Sequence, residues 1–337
     1  MFTFLAHEDV PVDVSNRRLN GETHVMKRIH IPRYRKAGVK FAVMATGGDQ
    51  LRPFGKLSIG FRTQTMGAGK FIDDMIAEEE EAPDDLKIIR KPIDFEEVLN
   101  SDKIGVILHF EGGMPLDGNL FMLRNYYRIG LRSMQLGWYI RNELADSGSE
   151  ANPGGLSHFG RQVVQEMNRL GMVIDVSHLS ENSVIDILEI SRQPVMASHS
   201  NAKAICNHNR NLSDEVIRKI AEKGGLVGAV FYPPLVCKGV PTMDDVLNHI
   251  DYFRKLVDIK HIVIGPDYND YAVDLLMGDV MSRATGPISF TYPVGLETVI
   301  ELPNLIQGLK KRGYKMEEIE LIMGGNLLRF FQKILRT

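Results

Sequence analysis

Met172-Val173-Ile174-Asp175-Val176-Ser177-His178 and Pro194-Val195-Met196-Ala197-Ser198-His199-Ser200 are two short apolar runs, each closing with a serine followed by a histidine. Residues 180–190 between them carry a helical period behind a leading serine. Short apolar, β-branched runs alternating with helical stretches are the pattern of a parallel sheet wrapped by helices. The alternation continues in both directions. Eight apolar runs can be read, at residues 2–6, 39–45, 104–110, 131–136, 172–176, 194–197, 226–231 and 261–264. Candidate helices at 158–170, 180–190, 213–223 and 242–257 have polar residues near their starts, and most end near a glycine or a basic residue. Eight strands with helical crossovers predict an α/β fold of the closed (β/α)8, TIM-barrel type.

Residues 292–337 read as helix, turn and helix, with Gly324-Gly325-Asn326 opening a last amphipathic segment expected to pack outside the barrel. The acidic run Glu78-Glu79-Glu80-Glu81, followed by Ala82-Pro83-Asp84-Asp85, reads as a solvated helix end. Barrels of this type exceed 200 residues as one unit, and no repeat, low-complexity segment or linker interrupts the chain. Residues 1–337 are therefore read as one domain.

A net charge of -3 gives no basic footprint for nucleic acid or an anionic membrane. No apolar run approaches the roughly 18 residues of a membrane span. The expected partner is a small molecule, neither nucleic acid nor membrane, and a homodimer is left open as the assembly state. Cys206 and Cys237 form neither a CxxC pair nor a disulfide framework and read as packing residues of a reducing compartment. Met1-Phe2-Thr3-Phe4-Leu5-Ala6 lacks a positive lead and meets Glu8 and Asp9 too early for a signal peptide, so the expected location is the cytoplasm.

Active sites of such barrels collect at the C-terminal ends of the strands, so the polar residues that follow the apolar runs are the ones to test. The first run ends in His7-Glu8-Asp9, whose alternation lets His7 and Asp9 grip one metal together. The third ends in His109-Phe110-Glu111-Gly112-Gly113, where the two oxygens of Glu111 could bridge two metals. His109, amid apolar neighbours, reads as a hydrogen-bonded core residue. The fifth and sixth end in His178 and His199, and imidazoles from adjacent strand ends can converge on one ion. A serine hydrolase is set aside because sequence neighbours on a strand face opposite ways and no GxSxG elbow is present. After the eighth run, Asp267 is placed to shuttle a proton, and Arg210, in a loop before a helix, could pair with a substrate carboxylate.

The order of these residues resembles the membrane (renal) dipeptidase family, peptidase family M19, of the amidohydrolase superfamily. The resemblance spans nearly the whole chain through His7-Glu8-Asp9, Asn16-Arg17-Arg18-Leu19, Phe110-Glu111-Gly112-Gly113, Asp175-Val176-Ser177-His178, Ser198-His199-Ser200, Arg210-Asn211-Leu212 and Gly324-Gly325-Asn326. It implies a zinc-dependent dipeptidase with two divalent ions, one held by His7 and Asp9, the other by His178 and His199, with Glu111 bridging both. It further implies a water activated between the metals, Asp267 as the proton carrier, Arg210 on the carboxylate of a dipeptide, and tolerance of a D-residue at the C-terminal side. Two positions depart from the family pattern. Trp138 stands where the family carries a substrate-binding histidine, and Asp267-Tyr268-Asn269-Asp270 lacks the glycine that tends to follow the aspartate. Trp138 could wall the pocket with one indole N–H as its donor, or pack at the rim. Hydrolysis of an N-acyl amino acid or a lactone on the same scaffold is the alternative activity, and a metal-binding protein without turnover is the alternative of another class.

Overall fold

The computed structural model describes residues 1–49, 63–269 and 291–336. Among the described residues nine parallel strands make one sheet: β1 (Thr3–Glu8), β2 (Val39–Gly48), β3 (Leu86–Ile88), β4 (Ile104–Glu111), β5 (Leu131–Gln135), β6 (Val173–Asp175), β7 (Met196–Ala197), β8 (Leu226–Ala229) and β9 (Ile262–Ile264). Eight of them follow one another in the order β1-β2-β4-β5-β6-β7-β8-β9, and β9 lies against β1, so the barrel is nearly closed. These eight are the apolar runs of the sequence. The ninth, β3, pairs with Ile104 to Val106 at the start of β4, just ahead of where β5 takes over at Leu108. Three residues with a partly exposed Lys87 in the middle leave no apolar run to read.

The four candidate helices form where their caps place them. Ser157, Ser180 and Ser213 each accept a backbone N–H three residues on, and Thr242 shares a capping box with Asp245. Helix His158–Leu170 stops at Gly171, whose φ of 73° is the left-handed conformation that ends a helix. Apolar burial divides in two. One cluster lies between the outer face of the sheet and the helices, with Leu5, Ala42, Val106 and Ile174 facing outward onto them. The other fills the barrel from its N-terminal end, where Phe4, Ala6, Phe41, Val43, Ile107, Val173, Leu226 and Val263 meet.

The last helix, Asn326–Ile334, packs outside the strands as expected, across the end of the barrel. It brings Leu327, Phe330 and Phe331 onto the apolar end of the barrel, with Phe331 stacked on Phe4 at 5.7 Å between centroids. Asn326 anchors it by donating to the carbonyls of Ile259 and Ile262, both at 2.8 Å. A barrel with phenylalanines at its open end needs a cover, and this amphipathic helix supplies one. The acidic run closes helix Gln64–Glu81 but is not a solvated end: Arg18 donates to Glu78 at 2.6 Å and to Glu81 at 2.9 Å. Glu78 is fully buried and also accepts the backbone N–H of Met26. Within the Asn16-Arg17-Arg18-Leu19 motif, Arg18 thus ties the first helix, Val10–Leu19, to this one, while Arg17 pairs with Asp13 and Glu22. Among the described residues no helix is long and apolar enough to cross a membrane.

Candidate metal centre

Moving up the barrel, phenylalanine gives way to imidazole and carboxylate. On β4 the inward positions run Ile107, His109, Glu111, so one strand passes from core to site by simple alternation. His109 is the hydrogen-bonded core residue expected of it, with Nδ1 3.0 Å from Ser133 Oγ and Nε2 3.2 Å from Gln135 Oε1. Burial pushes its pKa down to about 4, against the pull of Asp175. Above it the ends of β1, β4, β6, β7 and β9 converge.

Glu111 is the centre of the arrangement. Its Oε1 lies 3.0 Å from His178 Nε2, 3.4 Å from His199 Nε2 and 3.5 Å from His7 Nε2. His7 Nε2 is also 3.7 Å from Asp9 Oδ1 and 3.8 Å from Asp267 Oδ1. All the residues singled out as ligands therefore meet in one place, and the sets His7, Asp9, Glu111 and Glu111, His178, His199 each gather one donor atom per residue within 4.8 Å. Strict alternation would set His7 opposite Ala6. The register shift between Leu5 and Glu8 lies where that alternation breaks, and Glu8 turns outward to Tyr34 at 3.3 Å.

Backbone conformation is unusual at two of these positions. His178 has φ 69° and Asp267 has φ 61°, left-handed values that cost a non-glycine residue about 1–3 kcal/mol where the surroundings enforce them. Asp267 is held there by Tyr292, whose hydroxyl donates to its carbonyl at 2.5 Å and accepts the N–H of Asn269. Asp270, the last residue of that motif, lies outside the described residues.

The electrostatics are those of buried acids and bases sharing too little solvent. Burial opposes a charge on His7, but Glu111, Asp9 and Asp267 outweigh it and lift the imidazole to about 10. Burial holds Glu111 well above the ordinary carboxylate range, with His7 opposing and Asp9 and Asp267 adding to it. Asp267 is pushed up to about 6 by burial and by Asp9. His178 and His199 are depressed by burial first, then by Arg210 and His7 respectively. Several of the buried atoms, His7 Nδ1 and Nε2, Asp9 Oδ1 and His178 Nδ1, have no hydrogen-bond partner. Imidazole nitrogens and carboxyl oxygens turned toward one point, several of them unpaired, are a donor set suited to divalent cations, zinc among them, so the residues fit the metals implied for them.

Arg210 sits in the turn before helix Asp214–Glu222, only 4 % exposed, with Nε and Nη1 unpartnered. Trp138 follows β5, 8 % exposed, with its ring 6.0 Å from that of His178. The neighbouring Tyr139, which the sequence did not single out, meets the His178 ring edge-on at 5.1 Å. One further residue escaped notice because its partners are 65 and 93 positions away in sequence. Asp49, fully buried, accepts the N–H of Met114 at 2.7 Å and the amide of Asn142 at 2.8 Å, fastening the turn after Glu111 to the loop that carries Trp138. The ground for setting the serines aside also fails at one point. Ser198 and His199 lie beyond β7 in a bend, where strand alternation no longer applies, and Ser198 Oγ is 2.7 Å from His199 Nδ1.

The model of the membrane dipeptidase family, peptidase family M19, matches residues 1–283. The chain belongs to that family. Curated relatives include Dipeptidase 3 of Mus musculus, 33% identical over 242 residues that make up 70% of this chain and 45% of that protein. Dipeptidase aclJ of Aspergillus oryzae is 35% identical over 232 residues, 67% of this chain and 51% of that protein. The chain thus spans about half the length of the curated relatives it matches. Among solved structures, a metallo peptidase from Rhodobacter sphaeroides liganded with a phosphinate mimic of the dipeptide L-Ala-D-Ala superposes with a TM-score of 0.84 at 22% identity, covering 99% of both chains. An amidohydrolase from Pseudomonas aeruginosa gives 0.80 at 24% identity, covering 99% of this chain and 96% of that one. At these identities the likeness establishes the shared barrel fold.

Proposed function

We propose that this chain is a binuclear, zinc-dependent dipeptidase that hydrolyses free dipeptides, including those with a C-terminal D-residue. One observation carries the reading: a single Glu111 oxygen faces imidazole nitrogens from three strands, within 3.0–3.5 Å. In this reading His7 and Asp9 hold one cation, His178 and His199 the other, and Glu111 both. Bound there, the cations would polarise the scissile carbonyl and make water a nucleophile near neutral pH. The rest is the work of the chain. Arg210 presents two spare guanidinium nitrogens in a buried setting, where a charge-assisted fork onto the dipeptide carboxylate is strong. Asp267, with its carboxyl near 6, is tuned to take a proton at working pH and return it to the leaving amine. Trp138 covers the His178 side of the pocket with apolar surface. The ligand of the Rhodobacter sphaeroides relative is consistent with a D-residue at the C-terminal side. The unpaired Cys206 and Cys237 support a cytoplasmic setting.

The test combines elemental analysis with turnover by the zinc-loaded chain on L,L and L,D dipeptides, lactones and N-acyl amino acids. The expected result is two metals per chain and highest kcat/KM on dipeptides. Full activity without metal would end the reading, and preference for a lactone, which offers Arg210 no carboxylate, would replace the substrate. Glu111→Gln should cost metal content and activity together, whereas Glu80→Gln should leave both unchanged.

A further inference from the structure

Three imidazoles surround Glu111, and they are not held alike. His7 Nδ1 and His178 Nδ1 have no hydrogen-bond partner, whereas His199 Nδ1 lies 2.7 Å from Ser198 Oγ. Ser198 in turn reaches Asp175 at the end of β6. Asp175 Oδ1 accepts the backbone N–H of Ser177 at 3.0 Å and that of Ser198 at 3.1 Å, and Oδ2 accepts the Ser198 hydroxyl. Asp175, Ser198 and His199 are fully buried, so water does not compete for these bonds.

We infer that Asp175 and Ser198 are positioning residues that fix His199 in the Nδ1–H tautomer and leave Nε2 as a bare lone pair facing Glu111. The reasoning is a count of protons. A carboxylate only accepts, and a serine hydroxyl has one proton, which goes to Asp175. Ser198 Oγ can then offer His199 nothing but lone pairs, so the proton between them belongs to Nδ1. His199 Nε2 also lies 2.9 Å from His178 Nε2, and two ring nitrogens approach that closely only when one of them carries no proton; with the ring proton of His199 on Nδ1, its Nε2 is the acceptor. Nε2 is therefore unprotonated, the form in which imidazole ligates a metal. Ser177 holds the backbone in place, its Oγ accepting the N–H of His199 at 3.1 Å.

The same count answers two rival uses of these residues. In a serine nucleophile the hydroxyl donates to the imidazole; here the imidazole donates to the hydroxyl, the reverse polarity. Asp175 also lies close enough to His7 and His199 to suggest a cation site. Both of its oxygens, however, are engaged by three donors, which makes it the anchor of the relay and not a ligand.

The inference rests on the proposed function for what His199 ligates, and its test separates the two. Long-range ¹H–¹⁵N correlation of the metal-free wild-type chain reads the tautomer directly, and His199 should show a protonated Nδ1 and a bare Nε2. Zinc titration against a chelating dye reads affinity. Ser198→Ala keeps both backbone bonds to Asp175 and removes only the relay, so the zinc affinity of the site that His199 serves should fall about 10- to 100-fold, with Ser198→Thr restoring most of it. Asp175→Asn is the sharper variant. Its amide oxygen is claimed by the two backbone N–H groups, so its NH2 faces Ser198 and turns that hydroxyl toward Nδ1. His199 should then appear as the Nε2–H tautomer, with a larger loss of zinc than in Ser198→Ala. A bare Nδ1 in the wild type, or an unchanged tautomer and zinc affinity in Asp175→Asn, overturns the inference. A wild-type chain that takes up no zinc overturns the proposed function instead, while the resonance pattern of His199 still decides the relay.

Discussion

Arg210 and Trp138 both act on the surroundings of His178, and they should fail differently when altered. Arg210 is buried with two unpartnered nitrogens, and touches none of the metal-ligand candidates by hydrogen bond. Arg210→Met should lower kcat/KM for free dipeptides about 10- to 100-fold, the loss expected of a charge-assisted pair, with zinc content unchanged. Amidated dipeptides lack the carboxylate, so their smaller loss is the check; equal losses on both would remove the assignment. Trp138 turns a broad apolar ring toward His178. Trp138→His should raise kcat on small dipeptides relative to bulky apolar ones, and Trp138→Ala should hurt the bulky ones most. Steady-state kinetics across one panel reads both, and an unchanged ranking returns Trp138 to rim packing.

At the scale of elements, the junction of β7 with its neighbours shows how closely backbone geometry is tied to the site. A Cβ on Gly228 would meet the Ser198 carbonyl oxygen at 1.9 Å, and one on Gly265 would meet it at 2.1 Å. β8 and the end of β9 thus reach the residue before His199 only because they lack side chains there. Gly228→Ala should destabilise the fold by about 1–3 kcal/mol, the ordinary range for overpacking, and reduce zinc affinity as well, since the bend carrying His199 must move. Denaturant titration beside zinc titration measures the two; a stable variant with native affinity would show that the strands can part without cost. The same junction explains what could be read in advance. Residues 194–197 are legible as a strand because four apolar residues sit between helical periods, and His199 is legible because it follows them. The Asp175 to Ser198 relay is not, since it joins residues 23 apart through a bend that alternation does not describe. Likewise β3 is too short and too polar in the middle to announce itself, and the Arg18 pairing with Glu78 depends on helices meeting 60 positions apart. Patterns of period two and near four report local burial; polar pairs across elements leave no periodic trace.

Taken whole, the barrel places a liability and its remedy on one axis. Its lower half is phenylalanine closed by the last helix, and its upper half is a cluster of buried acids and imidazoles with unpaired atoms. Unpaired buried polar groups cost free energy that a bound cation recovers, so folding and metal binding must be linked. A ligand that binds only the folded chain stabilises it by RT ln(1 + [L]/Kd), about 4 kcal/mol at a free concentration a thousand times Kd. The midpoint of thermal unfolding should therefore fall on chelation, rise with added zinc, and level off at two equivalents. Glu111→Gln should blunt the whole response if, as proposed, one residue serves both cations, whereas Asp9→Asn should remove only the part that belongs to its own site. Scanning calorimetry at fixed protein concentration checks this, with zinc as titrant. A midpoint indifferent to zinc in the wild-type chain would mean that the cluster settles its unpaired atoms without metal, and a response that ends at one equivalent would leave Glu111 with a single cation to hold.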